Sequence, residues 1–167
     1  MLAPVHLASG HQVAQFANGR HPVLDQWLHH RACGAEGLTA RTYVTVPQAI
    51  PERVVGYHCI LAAMATRAAL PSAKLRKAMP DDIPLLLIGR LAVDADWQGR
   101  GIGSALLVDA VQRCLAASQV IGARAVVAHA IDEDAAGFYE RHGFVRSPLG
   151  ERVMLLPMET ARRLVEE

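Results

Sequence analysis

The stretch that most constrains this chain runs from Leu85 to Val111. Leu85–Val93 is apolar apart from Gly89 and Arg90, which is the pattern of a strand buried on both faces. Asp94–Gly101 form a turn. Ile102, Leu106, Leu107, Ala110, Val111 and Cys114 then recur at three-to-four spacing, so they line one face of a helix, with Asp109 and Arg113 expected on its other face. Gly99, Gly101 and Gly103 fall where the turn becomes the helix.

A buried strand feeding a glycine-rich turn and a helix N-terminus is the setting for an anion. The first amides of a helix lack intrahelical acceptors, and the helix dipole favours negative charge there. Glycine lets a phosphate come close to the backbone. The dinucleotide fingerprint G-x-G-x-x-G does not fit the alternating glycines, and no lysine follows them as a Walker A loop requires.

The rest of the chain supplies further elements. Ala3–Leu7 reads as a short first strand. Asn18-Gly19 is a turn, and Pro22 suits the first position of a helix. Val23, Leu24, Trp27 and Leu28 form its apolar stripe, with Asp25, Gln26, His29 and Arg31 facing away. His29, His30 and Cys33 do not make a metal site, because adjacent helical side chains diverge and no second ligand cluster follows. Arg41–Val46 and Val54–Leu61 have strand composition and predict an antiparallel hairpin. Alanine-rich Ala62–Leu70 is expected to be helical up to Pro71. Ala123–Ala130 reads as a buried strand. Asp132 is placed to cap a helix over Glu133–His142 that Gly143 ends. Val153–Leu156 is a last strand and Glu159–Glu167 an amphipathic tail. Alternating strands and helices after a hairpin predict an α/β domain with a mixed sheet.

With 167 residues, half of them hydrophobic, the chain is expected to form one domain over residues 1–167. No apolar run approaches the ~20 residues of a membrane span, and the N-terminus lacks the basic start and apolar core of a secretory signal. Three dispersed cysteines point to reduced thiols and a cytoplasmic setting. Charge is uneven: residues 1–90 hold nine Lys/Arg against five Asp/Glu, and residues 91–167 hold eight against eleven. Residues 62–80 carry Arg67, Lys74, Arg76 and Lys77 with no acid. Such a run is either a solvated loop or a contact for a polyanion.

Gln98-Gly99-Arg100-Gly101-Ile102-Gly103 resembles the Q/R-x-x-G-x-G/A loop of the GNAT superfamily of N-acetyltransferases. Phe138-Tyr139 followed by Gly143-Phe144 resembles its second signature, FY-x-x-x-GF. The resemblance implies a GNAT fold, an α/β architecture with a mixed, mostly antiparallel central sheet flanked by helices. It also implies acetyl-CoA as cosubstrate, with no metal. The cofactor contacts it implies are Leu91, Ala92, Val93, Gln98, Gly99, Arg100, Gly101, Ile102, Gly103, Ser104, Asp132 and Phe138. By the same resemblance Leu91–Val93 offers an N–H to the thioester carbonyl, and Tyr139 protonates the departing thiolate. Asp94, Asp96 and Asp132 read as turn and cap residues, so no carboxylate base stands out. An amine of low pKa (an α-amino group near ~8 against ~10.4 for lysine) removes the need for one.

LDQWL at 24–28, ARTYV at 40–44, VVGYH at 54–58, IPLLLIGRLAVD at 83–94 and GARA at 122–125 are together similar to the TacT/AtaT-like toxins of bacterial toxin–antitoxin pairs. This branch implies acetylation of the α-amino group of aminoacyl-tRNA, a ribbon-helix-helix antitoxin as partner, and a homodimer. Phosphate contacts are then expected from Arg20, Arg31, Arg41, Lys74, Arg76, Lys77 and Arg90. Arg90, which interrupts an apolar strand, serves equally well in a structural ion pair. The alternative within the superfamily is an acetyltransferase for small amines or protein N-termini.

Overall fold

The computed structural model describes residues 1–70, 72–147 and 149–167. Its strands are β1 (Val5–His6), β2 (Arg41–Thr45), β3 (Gly56–Thr66), β4 (Asp82–Val93), β5 (Ala125–His129), β6 (Val145–Arg146) and β7 (Val153–Pro157). The helices are α1 (Pro22–His30), α2 (Ala32–Ala35), α3 (Ala73–Arg76), α4 (Ile102–Ala117), α5 (Glu133–Arg141) and α6 (Met158–Glu166). The strands hydrogen-bond in the order β1-β2-β3-β4-β5-β7-β6. β4 and β5 run parallel, pairing Leu85 with Ala125 through Ile88 with Ala128, while β1–β2, β2–β3, β5–β7 and β6–β7 are antiparallel. This is the mixed sheet the residue pattern predicts.

The chain divides into two compact units. The first comprises Met1–Leu61 and Gly89–Ala110. Its core gathers Leu7, Phe16, Leu28, Ala32, Val44, Val54, Tyr57 and Ala92. Tyr57 anchors α1: its ring lies flat on Trp27 at 6.0 Å and its hydroxyl donates to the Leu24 carbonyl at 2.7 Å. Burial pushes its phenol well above the ordinary value. The N-terminal half of α4 lies close on β3: a methyl at Gly56 would come within 3.0 Å of Leu106 Cδ1 and 3.3 Å of Ile102 Cγ2.

The second unit comprises Ala62–Ile88 and Val111–Glu167. Ala65, Leu70, Leu75, Ile83, Leu85, Ala125, Val127 and Leu155 form its core.

Three expectations need correction. Ala62–Thr66 is not helical but the end of β3. Alanine favours helix by well under 1 kcal/mol per residue, and extension of the sheet overrides it: only Arg67–Ala69 form a 3-10 turn, with the Arg67 amide bonded to the Asp81 carbonyl. Pro71, expected to end a helix, lies outside the described residues. Asp109, expected with Arg113 on the helix face away from the apolar stripe, instead reaches a buried partner. Its Oδ2 accepts from Nε2 of the fully buried His58 at 2.7 Å. On α1, Val23 is exposed, whereas Asp25 and His29 turn inward: Asp25 accepts from Asn18, and His29 Nε2 donates to the Phe16 carbonyl. No helix among the described residues is long and apolar enough to cross a membrane.

Candidate active site

In the first unit the site grows out of the end of β4. Leu91, Ala92 and Val93 are its last residues. Asp94 follows, 3 % exposed, and its carboxylate is committed to the backbone: Oδ1 accepts from the Asp96 amide at 3.0 Å and Oδ2 from the Ala17 amide at 3.2 Å. Ala95–Trp97 make one 3-10 turn, and Gln98 leaves it. Arg100 lies over the Trp97 ring at 4.7 Å and donates to the Asp96 carbonyl. Gly99 and Gly101 have φ values of 75° and 79°, in the left-handed region where a side chain costs about 1–2 kcal/mol. A Cβ built on either would meet nothing within 4 Å, so this face of the loop is open. α4 begins at Ile102, and its first i→i−4 bond is Ala105 N–H to Gly101 C=O. The amides of Gly101, Ile102 and Gly103 therefore precede the ladder, at the positive end of a sixteen-residue helix. Ser104 lies in the same first turn. An open glycine loop delivering amides at a helix N-terminus fits a pyrophosphate.

In the second unit Asp132 accepts from the Ala135 amide at 2.8 Å and caps α5, with Glu133 and Asp134 in the first turn. Tyr139 is 6 % exposed and packs edge-on between Phe138 (5.4 Å) and Phe144 (5.3 Å). The helix ends with His142 and Phe144 amides donating to the Tyr139 carbonyl. His142 Nδ1 also donates to the Phe138 carbonyl at 2.8 Å. These contacts fix both aromatic residues of the second motif. The Arg146 hydrogen bond holds the Glu133 carboxyl below its usual range.

The basic candidates fall into both units. In the first, Arg20, Arg31 and Arg41 are exposed, and Arg41 reaches Glu36 at 3.4 Å. Arg90 is half-buried, with its guanidinium 4.6 Å from the Trp27 ring centre. A cation–π seat, worth about 0.5–2 kcal/mol, thus explains its tolerance within the strand without invoking an ion pair. It also lies beside Cys59, whose thiol burial pushes up to about 11 despite that neighbour.

In the second unit Lys74 and Lys77 are exposed, while Arg76 is held by the Leu70 carbonyl at 2.7 Å. Arg67, Arg76 and Lys77 line a cavity of about 850 Å³ together with Asp81 and Asp82. The sequence places Arg67 in the basic run of residues 62–80 but not among the expected individual phosphate contacts. It lies in the 3-10 turn after β3, in a stretch expected to be helical, and only the fold brings it beside Arg76 and Lys77 at one cavity. Among the described residues no group of three His, Cys, Asp or Glu side chains could hold a metal.

Comparison with known proteins accounts for this geometry. Residues 40–146 match the acetyltransferase (GNAT) domain family. A tRNA-acetylating toxin of Mycobacterium tuberculosis is 38% identical over 165 residues, covering 98% of this chain and 96% of the toxin. Among solved structures, AtaT complexed with acetyl-methionyl-tRNAfMet superposes with a TM-score of 0.89 at 26% identity, covering 97% of this chain and 98% of that one. AtaTR bound with acetyl-CoA gives 0.82 at 27% identity, with 97% and 96% covered. The glycine loop at the head of α4, the FY-x-x-x-GF helix and the mixed seven-stranded sheet are thus those of an acetyl-CoA-dependent acetyltransferase, and this chain belongs to the GNAT acetyltransferase family.

Proposed function

We propose that this protein is a toxin that moves the acetyl group of acetyl-CoA onto the α-amino group of an aminoacyl-tRNA and so blocks translation. The observation that carries this reading is the end-to-end match to a tRNA-acetylating toxin, which reaches beyond the GNAT motifs into both ends of the chain. The chemistry is consistent with it. Acetyl-CoA supplies an activated thioester. The amides of Gly99–Ser104 hold its pyrophosphate, and the last residues of β4 direct an N–H at the oxygen that gains charge. The Tyr139 hydroxyl supplies the proton that the leaving thiolate takes. Asp132 caps the first turn of α5 and Phe138 packs on the Tyr139 ring, so both hold the helix that carries Tyr139. Asp94 and Asp132 are occupied by backbone amides, so neither serves as a base. The α-amino group, with a pKa of ~8, is already substantially neutral at cellular pH and needs none.

The phosphates of the tRNA meet the exposed cations Arg20, Arg31 and Arg41 of the first unit and Lys74 and Lys77 of the second, with Arg67 and Arg76 in the adjoining cavity. Arg90 contributes through its seat on Trp27. The chain acts as one acetyltransferase domain, as a homodimer in the cytoplasm, and is restrained by a ribbon-helix-helix antitoxin; these readings rest on its likeness to the toxin branch. The test is transfer from labelled acetyl-CoA to charged tRNA, deacylated tRNA, small amines and peptides. Label confined to charged tRNA is the expected result. Label on small amines or peptides, with none on tRNA, would overturn it.

A further inference from the structure

The carboxamide of Gln98 lies between two carbonyls from different parts of the first unit. Its Nε2 donates to the Val93 oxygen at 2.9 Å and to the Asn18 oxygen at 2.8 Å. A carboxamide nitrogen has two N–H groups, and both acceptors are carbonyls, so the chemistry itself fixes which end of the side chain points inward. Val93 ends β4. Asn18 is 6 % exposed and lies 80 residues away in sequence.

Asn18 is itself the hub of a second set of bonds. Its Nδ2 donates to the His21 carbonyl at 2.6 Å and to Asp25 Oδ1 at 2.7 Å. Its Oδ1 accepts from the amides of Arg20 (3.0 Å) and His21 (2.7 Å), and its own amide donates to Asp25 Oδ1 at 2.9 Å. Two further links run beside it: Ala95 N–H to Ala17 C=O at 2.8 Å between backbones, and Ala17 N–H to the Asp94 carboxylate Oδ2 at 3.2 Å. The end of β4, the turn before the glycine loop and the start of α1 are therefore tied at one point, with the Gln98 carboxamide closing it alongside the Asp94 carboxylate.

We propose that Gln98 is a positioning residue, which through Val93 and Asn18 holds the glycine loop in its cofactor-ready form and locks it to α1. The reading rests on the acetyl-CoA role of that loop. The loop needs such a brace because Gly99 and Gly101 leave it little intrinsic rigidity, and flexible backbone must be ordered at the expense of binding energy. Gln98 does this without touching the reacting atoms. It fixes the first residue of the loop, and the amides downstream inherit the geometry. Asp25 and Asn18 carry the same constraint into α1, whose flanking Arg20 and Arg31 are proposed to meet tRNA.

The test compares Gln98→Ala, Gln98→Glu and Gln98→Arg. Arginine keeps two N–H donors for the two carbonyls, whereas glutamate is isosteric but turns an acceptor toward them. Gln98→Ala and Gln98→Glu are expected to raise KM for acetyl-CoA about tenfold, equivalent to about 1.4 kcal/mol, with kcat within about twofold. Gln98→Arg is expected to restore the wild-type KM. Equal KM in wild type and Gln98→Ala, or failure of Gln98→Arg alongside Gln98→Ala, would overturn the proposal. Should Gln98→Ala not fold, the Arg and Glu variants decide the matter between them.

Amide hydrogen exchange in the free protein gives a readout that needs no activity. Residues 99–104 should exchange faster in Gln98→Ala and in Asn18→Ala, and unchanged exchange would sink the brace. Calorimetry of coenzyme A with the wild-type protein separates the two levels of inference. Absence of binding would defeat the acetyl-CoA reading, while the exchange data would still judge the brace.

Discussion

The glycine loop of the first unit and the basic segment around residues 62–82 of the second both invite an anion, but they are built in opposite ways. The loop relies on backbone. Its donors are amides, its charge is a helix dipole, and the side chains that matter are those that are missing or, like Gln98 and Asp94, those that hold the turn. The basic segment relies on side chains. Arg67, Arg76 and Lys77 converge on one cavity, yet Arg67 already faces Asp81 at 3.7 Å and Arg76 already serves the Leu70 carbonyl. A backbone site gives fixed geometry and recognises one group closely. A side-chain site gives long reach and adjustable charge, and suits a polyanion met at many points. That division matches a small cofactor bound with high geometric demand and a large nucleic acid held by its phosphates.

The largest effect tests the chemistry that neither region performs. Tyr139→Phe keeps the ring between Phe138 and Phe144 and removes only the hydroxyl. It should lower kcat by about 10²–10⁴-fold, the range for a lost general acid, while calorimetric binding of acetyl-CoA stays within about twofold. Wild-type turnover in this variant would remove Tyr139 from the mechanism.

Next is Gly101→Val, which breaks the backbone site. The space around its Cβ is open, so the penalty is conformational, about 1–2 kcal/mol. Acetyl-CoA KM should rise about tenfold or more, with tRNA affinity unchanged at fixed salt. Equal loss for both substrates would erase the distinction between the two regions.

The complementary variant is Lys74→Ala with Lys77→Ala. It should weaken tRNA binding and reduce the slope of log K against log salt by about one to two, leaving acetyl-CoA KM untouched. An unaltered slope would return this segment to the status of a solvated loop.

A smaller effect concerns the thiols. Burial raises Cys59 to about 11 and Cys114 to about 12 from 9.0, while Cys33 is exposed. A folded pKa above the unfolded one means stability that is complete below about pH 9 and lost as pH climbs toward those values, by about 1.4 kcal/mol per pH unit for each thiol. Denaturant midpoints from pH 8 to 11 should fall accordingly, and Cys114→Ala should flatten the decline. At neutral pH a thiol reagent should modify one cysteine quickly in the native protein and all three after unfolding.

Much of this protein was legible in its sequence. The run Leu85–Val93, the alternating glycines and the spaced apolar residues of α4 are local statements, and local periodicity dictates local structure. Asp132, Gly143 and Pro22 marked helix ends for the same reason: capping and proline chemistry act within a few residues. The two motifs, by resemblance, singled out the glycine loop and Tyr139 for their proposed roles.

Only the tertiary structure decided the pairings between distant segments. The Ala62–Thr66 stretch became strand because extending a sheet outweighs a weak helical preference. His58 met Asp109 across 51 positions, and Gln98 met Asn18 across 80. Arg90 settled on Trp27, and Arg67 joined Arg76 beside a cavity. None of these leaves a trace in spacing, because a hydrogen bond or a ring contact depends on where folded backbones bring two atoms and not on how many residues lie between them.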